Sequence, residues 1–187
     1  MDSPSNFVKD LKDKAGGILI VDKIGNNQVI LLGKSNIAKR NGSYESFGGK
    51  YEKEDISSLH TAIRELIEEF FNLKINTNYI NELAYSIRNT NLILKQYEFN
   101  GMSYLINLEG LNFIFQKLIN WIQPLTKYNN EGKFDYLKYI NERLVTETAC
   151  DGLNEIHKIE IFNIKDIKDK KVSLRWFTNK IINIMVN

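Results

Sequence analysis

Cysteine is nearly absent from this chain of 187 residues, which contains only Cys150. A single cysteine excludes an intramolecular disulfide and fits a reducing compartment. No apolar run approaches the roughly 18 residues that a membrane span needs. Residues 1–6 also lack the charged and apolar regions of a signal peptide. We therefore expect a soluble, cytoplasmic protein without a membrane partner.

A strong charge of either sign is missing as well. The formal net charge is +2, which is too small to indicate nucleic-acid binding by itself. Apolar residues make up 43% of the chain and charged residues 26%, as in ordinary globular proteins. The sequence shows neither an internal repeat nor a low-complexity tract. At this length we expect one domain over residues 1–187, with a core large enough to need no disulfide.

Two pairs of apolar, β-rich runs are each separated by turn residues. The first pair, 17–21 and 29–32, flanks a Gly-Asn-Asn turn. The second pair, 92–99 and 102–108, flanks Asn100-Gly101, and Asn-Gly is the strongest short signal for a β-hairpin. Both pairs predict hairpins.

One segment has the clearest helical period in the chain. Its apolar residues recur at the spacing of a buried stripe, namely Leu59, Ala62, Ile63, Leu66, Ile67 and Phe70. Asp55 is a candidate N-cap for this helix, and Ser57 and Ser58 compete with it.

Three acids of the same helix lie away from that stripe. Glu65, Glu68 and Glu69 stand at positions i, i+3 and i+4, which places their Cβ atoms about 5–6 Å apart. Like charges so placed repel one another, and such a cluster suits a hard cation such as Mg²⁺ or Mn²⁺. Gly48-Gly49 just upstream allows a ligand to approach the backbone closely. Together these features predict metal-assisted chemistry on phosphate.

Simpler interpretations exist for each feature alone. An acidic helix face in which Arg64 pairs with Glu68 is common, and a glycine pair is commonly a turn. The combination favours the functional interpretation. His60 and His157 are isolated, so we expect packing or surface roles for them. Nothing near Cys150 indicates a catalytic thiol.

The second half of the chain predicts further elements. Residues 109–122 have a helical period that ends before Pro124. Residues 134–144 predict a helix whose inward side would be Phe134, Leu137, Ile140 and Leu144. A strand over 156–164 and an amphipathic helix over 174–186 complete the chain.

Residues 48–69 resemble the signature of the Nudix hydrolases, G-x5-E-x7-R-E-U-x-E-E-x-G-U, where U is a bulky aliphatic residue. The stretch from Arg64 to Glu69 reads R-E-L-I-E-E and fits without a gap, and Gly49 fits the opening glycine. From Gly49 to Arg64 is 64 − 49 = 15 positions, one more than the pattern has. The intermediate acid is therefore either Glu54 or Asp55.

The C-terminal end of the signature departs from the pattern. Phe71 and Asn72 stand where a glycine and an aliphatic residue are expected. The resemblance covers residues 15–108 and 153–187, and it treats residues 109–152 as a helical insertion. That insertion could also serve as a dimer interface, because its aromatic residues recur at helical spacing.

The resemblance implies an α/β/α sandwich around a mixed sheet. It also implies hydrolysis of a diphosphate linkage in a nucleotide derivative, with one to three Mg²⁺ or Mn²⁺ ions. Carried onto this sequence, the metal ligands would be Glu65, Glu68, Glu69 and the carbonyl of Gly49. Arg64 would orient a nearby carboxylate rather than touch substrate.

Several roles stay open at this level. The general base would be Glu68 or Glu69, with Glu147 as a weaker candidate. Lys50 and Phe47, beside the glycine pair, are predicted to contact substrate. Other candidates for phosphate contact are Lys34, Lys39 and Arg40, and those for base stacking are Tyr97, Tyr104 and Trp121.

The partner predicted from the resemblance is a nucleotide or nucleotide conjugate. One alternative is capped RNA, which a pI near 8.5 allows. The other is a module of the same fold that binds a nucleotide without catalysis.

Overall fold

The centre of the fold is a seven-stranded mixed sheet. The computed structural model describes residues 14–40, 42–143, 153–169 and 172–186. Its strands are β1 (Ala15–Ile24), β2 (Asn27–Ser35), β3 (Tyr44–Glu45), β4 (Phe47–Gly49), β5 (Ile93–Glu98), β6 (Gly101–Ile106), β7 (Asn129–Asn130), β8 (Lys133–Phe134) and β9 (Ile156–Asn163).

The strands of the main sheet follow the order β3-β2-β1-β6-β5. β1 runs parallel to β6 and antiparallel to both β2 and β4. β9 pairs antiparallel with β2, while β7 and β8 form a separate two-stranded ribbon. The mixed sheet expected from the resemblance is therefore confirmed.

Both predicted hairpins are confirmed. In the β1–β2 hairpin Ile24 pairs with Asn27, and Gly25 adopts a φ of 60° in the turn. In the β5–β6 hairpin Asn100 takes a φ of 55°, a left-handed conformation that asparagine tolerates better than most residues.

Helices cover both faces of the sheet. They are α1 (Ser58–Phe71), α2 (Thr77–Arg88), α3 (Leu108–Ile119), α4 (Tyr136–Glu142), α5 (Ile164–Asp169) and α6 (Trp176–Val186). The sequence did not predict α2 or α5. Within the described ranges, no helix has the length and apolar character that crossing a membrane requires.

Successive residues of β1 point to opposite faces, as the pleat of a strand requires. Ile18 and Ile20 pack into the core under α1, α2 and α3. Leu19 and Val21 pack into a second core under α5 and α6. Two cores on two faces of one mixed sheet confirm the predicted α/β/α sandwich.

The predicted helix over 134–144 is shorter than expected. Phe134 belongs to β8, and Asp135 caps α4 by accepting the backbone N–H of Lys138. This start turns Tyr139 inward and leaves Leu137 about 50% exposed, so the inward position assigned to Leu137 is wrong. Leu144 lies outside the described residues.

The segment predicted as an insertion packs against the rest of the fold. Phe115 and Phe134 stack with ring centroids 4.2 Å apart, and Tyr139 stacks on Phe70 of α1 at 5.5 Å. These rings are buried inside the chain's own core. They are therefore not the exposed aromatic surface on which the dimer-interface interpretation relied.

Close packing of β1 against α1 leaves no room for a side chain at Gly16. A Cβ atom there would collide with the carbonyl oxygen of Ser58 and lie 2.7 Å from the nitrogen of Ala62. We expect Gly16→Ala to cost about 3 kcal/mol of unfolding free energy, because helix backbone must move. Gly25→Ala, in the open turn, should cost only about 1 kcal/mol for its left-handed φ. Denaturant unfolding would measure both, and equal losses would contradict this packing argument.

Candidate active site

The sequence offered three candidates for the N-cap of the acidic helix α1. Ser57 is the N-cap: its backbone is extended, and its side chain accepts the N–H of His60 at 3.2 Å. Asp55 is thereby corrected as the first candidate for the cap. The predicted apolar stripe is confirmed, since all six of its residues are buried.

Asp55 has a different task, which is to bind Arg64. Its two carboxylate oxygens accept Nε and Nη2 of Arg64, both at 3.0 Å. The hydroxyl of Thr61 and the N–H of Glu52 donate to the same carboxylate, each at 2.9 Å. Nδ1 of His60 lies 2.8 Å away. This buried carboxylate is therefore fully surrounded by hydrogen-bond partners.

Arg64 connects the loop after the glycine pair with the acids of the helix. Besides Asp55, its guanidinium contacts Glu68 at 2.9 Å, Glu65 at 3.0 Å and Glu52 at 3.3 Å. Nη2 also donates to the carbonyl oxygen of Lys50 at 2.9 Å. The structure thus places Arg64 among carboxylates, where the resemblance put it.

The acids of α1 lie deeper than the helical period suggested. Glu65, Glu68 and Glu69 are each at most 9% exposed. A carboxylate oxygen of Glu69 accepts the N–H of Gly48 at 2.7 Å. A Cβ at Gly49 would meet the carboxylate of Glu65, which would have to move, and a Cβ at Gly48 would lie 2.6 Å from the Cα of Gly17. The lack of side chains at these two positions lets β4 pack closely on β1 and on Glu65.

Burial perturbs the charges of this cluster. Burial raises the pKa of Glu65 to about 7, against a partly compensating attraction to Arg64. Burial also raises the pKa of Glu68, and it raises that of Glu69 well above the usual value, with the charges of Glu65 and Glu45 adding to the shift. The site therefore cannot hold every carboxylate ionised at neutral pH without cost.

Asp55 shifts in the opposite direction. Burial alone would raise its pKa, but hydrogen bonds from His60 and Arg64 outweigh burial and hold the pKa well below the usual value. Asp55 thus forms a two-point ion pair with Arg64, while Glu65 and Glu68 contact the same guanidinium at 3.0 Å and 2.9 Å.

The donor set suits a hard divalent cation, because carboxylate oxygens are the ligands that Mg²⁺ and Mn²⁺ prefer. Within the described ranges, however, no three His, Cys, Asp or Glu side chains converge in a metal-binding arrangement. Glu68 is turned towards Arg64 and Glu69 towards Gly48. The carboxylate ligands suit a divalent cation, but in this structure Glu68 and Glu69 make hydrogen bonds to other groups of the protein.

A cavity of about 280 Å³ opens beside the glycine pair. Gly48 and Gly49 line it from β4, and Gly16 and Gly17 line it from β1. The charged and aromatic residues around it are Arg40, Glu45, Lys50, Phe99, Arg175, Trp176 and Phe177. Basic groups and aromatic rings therefore meet at one opening next to the acids.

Only some of the residues predicted to contact substrate line this cavity. Lys50 is exposed at the cavity, and Arg40 lines it as well, whereas Lys34 lies over the ring of Tyr44 at 6.0 Å. The prediction for Phe47 is wrong, because its side chain is fully buried and packs edge-on against Phe70.

The stacking candidates are not the rings that the cavity presents. Tyr104 is buried, with its hydroxyl 2.7 Å from Ser58 Oγ, and Trp121 stacks on Tyr79 at 4.3 Å. Tyr97 does not line the cavity. The structure brings Phe99 and Trp176 there instead. Trp176 is 57% exposed at the start of the terminal helix, and no signal in the sequence distinguished it from a core residue of that helix.

The predictions for His60, Glu147 and Cys150 remain to be compared with the structure. His60 is buried beside Asp55, with Nε2 lacking a partner among the described residues, which matches a packing role. Glu147 and Cys150 lie outside the described residues.

No protein-family model matches the sequence, and no curated protein matches it. Three solved structures show a low similarity. A C. elegans Ap4A hydrolase, solved as a binary complex, is 14% identical over 91% of this chain and 92% of its own, with a TM-score of 0.43. The NUDIX domain of Shewanella oneidensis NrtR, complexed with ADP ribose, is 11% identical over 97% and 90%, with a TM-score of 0.42.

The third structure is a mutT/nudix family protein from Listeria innocua. It is 13% identical over 92% of this chain and 90% of its own, with a TM-score of 0.40. Similarity at this level assigns neither a family nor an activity to this chain.

The raised pKa values predict how stability depends on pH. Between about pH 4.5 and 7 the folded state binds more protons than the unfolded state, so the unfolding free energy should fall as pH rises. We expect Glu65→Gln to remove on the order of 3 kcal/mol of this fall. A cation that binds the folded state alone raises stability, so added Mn²⁺ should restore it at pH 7.5 if these carboxylates are metal ligands.

Unfolding in EDTA at pH 5 and pH 7.5 would measure this effect. Glu82→Gln, which changes an exposed carboxylate of α2, is the matched control and should keep the wild-type slope. An unchanged slope in Glu65→Gln would show that this carboxylate is not the source of the pH dependence.

Proposed function

We propose that this protein is a metal-dependent pyrophosphohydrolase of the Nudix type, acting on a diphosphate linkage in a nucleotide derivative. The observation that carries this proposal is a cluster of buried carboxylates around Arg64, pressed against a glycine pair at the mouth of a basic and aromatic cavity. The R-E-x-x-E-E run supplies the acids, and β4 supplies the glycines.

Glu65, Glu68, Glu69 and the carbonyl of Gly49 would hold Mg²⁺ or Mn²⁺. When bound, such an ion neutralises phosphate oxygens and lowers the pKa of a coordinated water. The raised pKa values of the three glutamates support this assignment, because a divalent cation would supply the charge compensation that burial denies them.

The chain's own groups would prepare the site for reaction. Arg64 orients Glu68 through their 2.9 Å contact, while Gly48 N–H fixes one oxygen of Glu69. Either glutamate could take the proton of the attacking water, since each is a carboxylate whose pKa is raised by burial. Lys50 and Arg40 at the cavity would attract the diphosphate.

The organic part of the substrate would occupy the cavity. Trp176 and Phe99 present aromatic surface there, and a nucleobase stacks well on such rings. Nη1 of Arg175 forms an ion pair with Oε2 of Glu45 at 3.0 Å, so this guanidinium is held in place near the rings. A nucleotide conjugate fits this combination better than inorganic pyrophosphate, which needs no aromatic contact.

Capped RNA is a second candidate, and one observation favours it. The ammonium of Lys180 lies 4.2 Å from the ring of Trp176 and 5.3 Å from that of Phe99. Rings that hold a cation would also suit the positively charged methylated base of an RNA cap. In that case binding should weaken steeply with salt, because phosphate contacts release counterions.

The first prediction for this function concerns the acids. Glu68→Gln and Glu69→Gln should each lower kcat by about 10²–10⁴-fold, the range expected for a lost acid–base group. Product release from nucleotides, nucleotide sugars, dinucleotides and capped RNA would be measured with Mg²⁺ and with Mn²⁺. The variant of the general base should lose the acidic limb of the pH–rate profile, while a ligand variant should need more metal for half-saturation.

Glu82→Gln serves again as the control and should keep full activity. Wild-type rates in both active-site variants would remove the proposed mechanism. Nucleotide binding without any product would instead identify a non-catalytic binding module.

The second prediction concerns the cavity. Trp176→Ala should raise KM about tenfold or more, the loss expected for one stacking contact, and should leave kcat nearly unchanged. Tyr85→Ala, at a 73% exposed tyrosine of α2, is the control. If the substrate is capped RNA, Trp176→Ala should also lose the preference for the methylated over the unmethylated cap. An unchanged KM would place the substrate elsewhere.

A further inference from the structure

The last turn of α1 is held by side chains from the segment that follows α3. Nη2 of Arg143 donates to the carbonyl oxygen of Glu69 at 2.7 Å. The hydroxyl of Tyr139 donates to the carbonyl oxygen of Phe70 at 2.9 Å. The last four carbonyls of a helix have no partner within the helix, and these two donors satisfy those of Glu69 and Phe70.

Arg143 is an unusual residue in this position, because it is a buried cation. Its Nη1 donates to the carbonyl oxygen of Ile156 on β9 at 3.0 Å, so the guanidinium joins α1 to the sheet. Among the described residues no carboxylate forms an ion pair with it, and its Nε has no partner. A cation is favourable at a helix C-terminus, where the helix dipole is negative.

Burying a guanidinium without a paired carboxylate is costly, even with carbonyl oxygens and the hydroxyl of Tyr139 beside it, and an apolar side chain of similar size would avoid that cost. Burial accordingly lowers the pKa of Arg143. The compensating gain is geometric. A planar guanidinium donates in fixed directions, so it holds two backbone carbonyls at a defined separation.

Two further contacts fix the same helix end. Phe71, at the position where the Nudix pattern has glycine, packs on Phe134 and Tyr139 with centroids 5.7 Å away in both cases. Asn72 ends the helix in a left-handed conformation and exchanges two hydrogen bonds with Asn154, at 2.9 Å and 2.8 Å. The departures from the pattern therefore coincide with contacts to neighbouring segments.

These contacts act on the turn that carries Glu69. Arg143 holds the backbone of Glu69 from one side, and Gly48 N–H holds its carboxylate from the other. The side chain of Glu69 must span the gap between them. A small shift of the helix end would therefore move this carboxylate away from Gly48 or rotate it.

We infer that Arg143 is a positioning residue for Glu69, acting through the backbone of the last turn of α1. Tyr139 supports it through the carbonyl of Phe70. The catalytic consequence rests on the proposed function, but the placement of Glu69 against Gly48 can be measured without any activity.

Arg143→Met removes the donors and keeps an apolar stem, while Arg143→Lys keeps the charge. We expect Arg143→Met to lower kcat at least tenfold with less than a twofold change in KM. Its Gly48 amide resonance should move upfield, and its exchange with solvent should accelerate, because the bond to Glu69 lengthens. Arg143→Lys should recover part of both effects. Lys138→Met, on the exposed side of α4, is the matched control and should change neither.

The amide spectrum separates this inference from the proposed function. If the wild type hydrolyses no tested substrate, the function fails, while the Gly48 resonance still reports whether Arg143 positions Glu69. If Arg143→Met lowers stability but leaves kcat and the Gly48 amide unchanged, Arg143 is only structural and the inference is overturned.

Should Arg143→Met fail to fold, Arg143→Lys and Tyr139→Phe decide the question. Tyr139→Phe keeps the stacked ring and loses the hydroxyl, which donates to the carbonyl of Phe70 and also interacts with Arg143. Both variants should shift the Gly48 amide in the same direction by a smaller amount. An unshifted amide in both would overturn the inference.

Discussion

The buried guanidinium of Arg64 is the interaction on which the rest of the site depends. It contacts Asp55, Glu65 and Glu68, and it also donates to the carbonyl oxygen of Lys50 in the turn after β4. Removing one partner from a buried ion pair leaves an uncompensated charge that costs about 3–5 kcal/mol. The loop between the glycine pair and α1 is therefore fixed by one side chain of the helix that it precedes.

Part of this arrangement could be predicted from the sequence. Helical period alone identified the buried stripe of α1, because that stripe needs only local geometry. The choice between Glu54 and Asp55 could not be made, since both are acids within one residue of the expected place. The fold decides it: Glu54 is exposed and Asp55 is buried against Arg64, so the extra residue lies between Asp55 and Arg64.

The burial of the acids could not be predicted, because it comes from contacts distant in sequence. An amphipathic period assumes that one face meets the protein and the other meets water. Here β4 covers Glu69 from 21 positions away, and Arg143 reaches its backbone from 74 positions away. Trp176 was missed for a related reason. A tryptophan at the start of an amphipathic helix resembles a core residue in the sequence, and only the folded structure shows that it lines the cavity.

The burial of several carboxylates together makes the site unfavourable for folding and suitable for binding a cation. Glu65 and Glu68 share Arg64 with Asp55, which accepts two hydrogen bonds from it, whereas Glu69 accepts the N–H of Gly48. The remaining negative charge is held in place by packing that tolerates little rearrangement. A divalent cation would compensate part of this charge, and Glu68 and Glu69 would have to turn from Arg64 and Gly48 to coordinate it. Stability given up at such a cluster is typical of a functional site, since nothing in the core requires acids there.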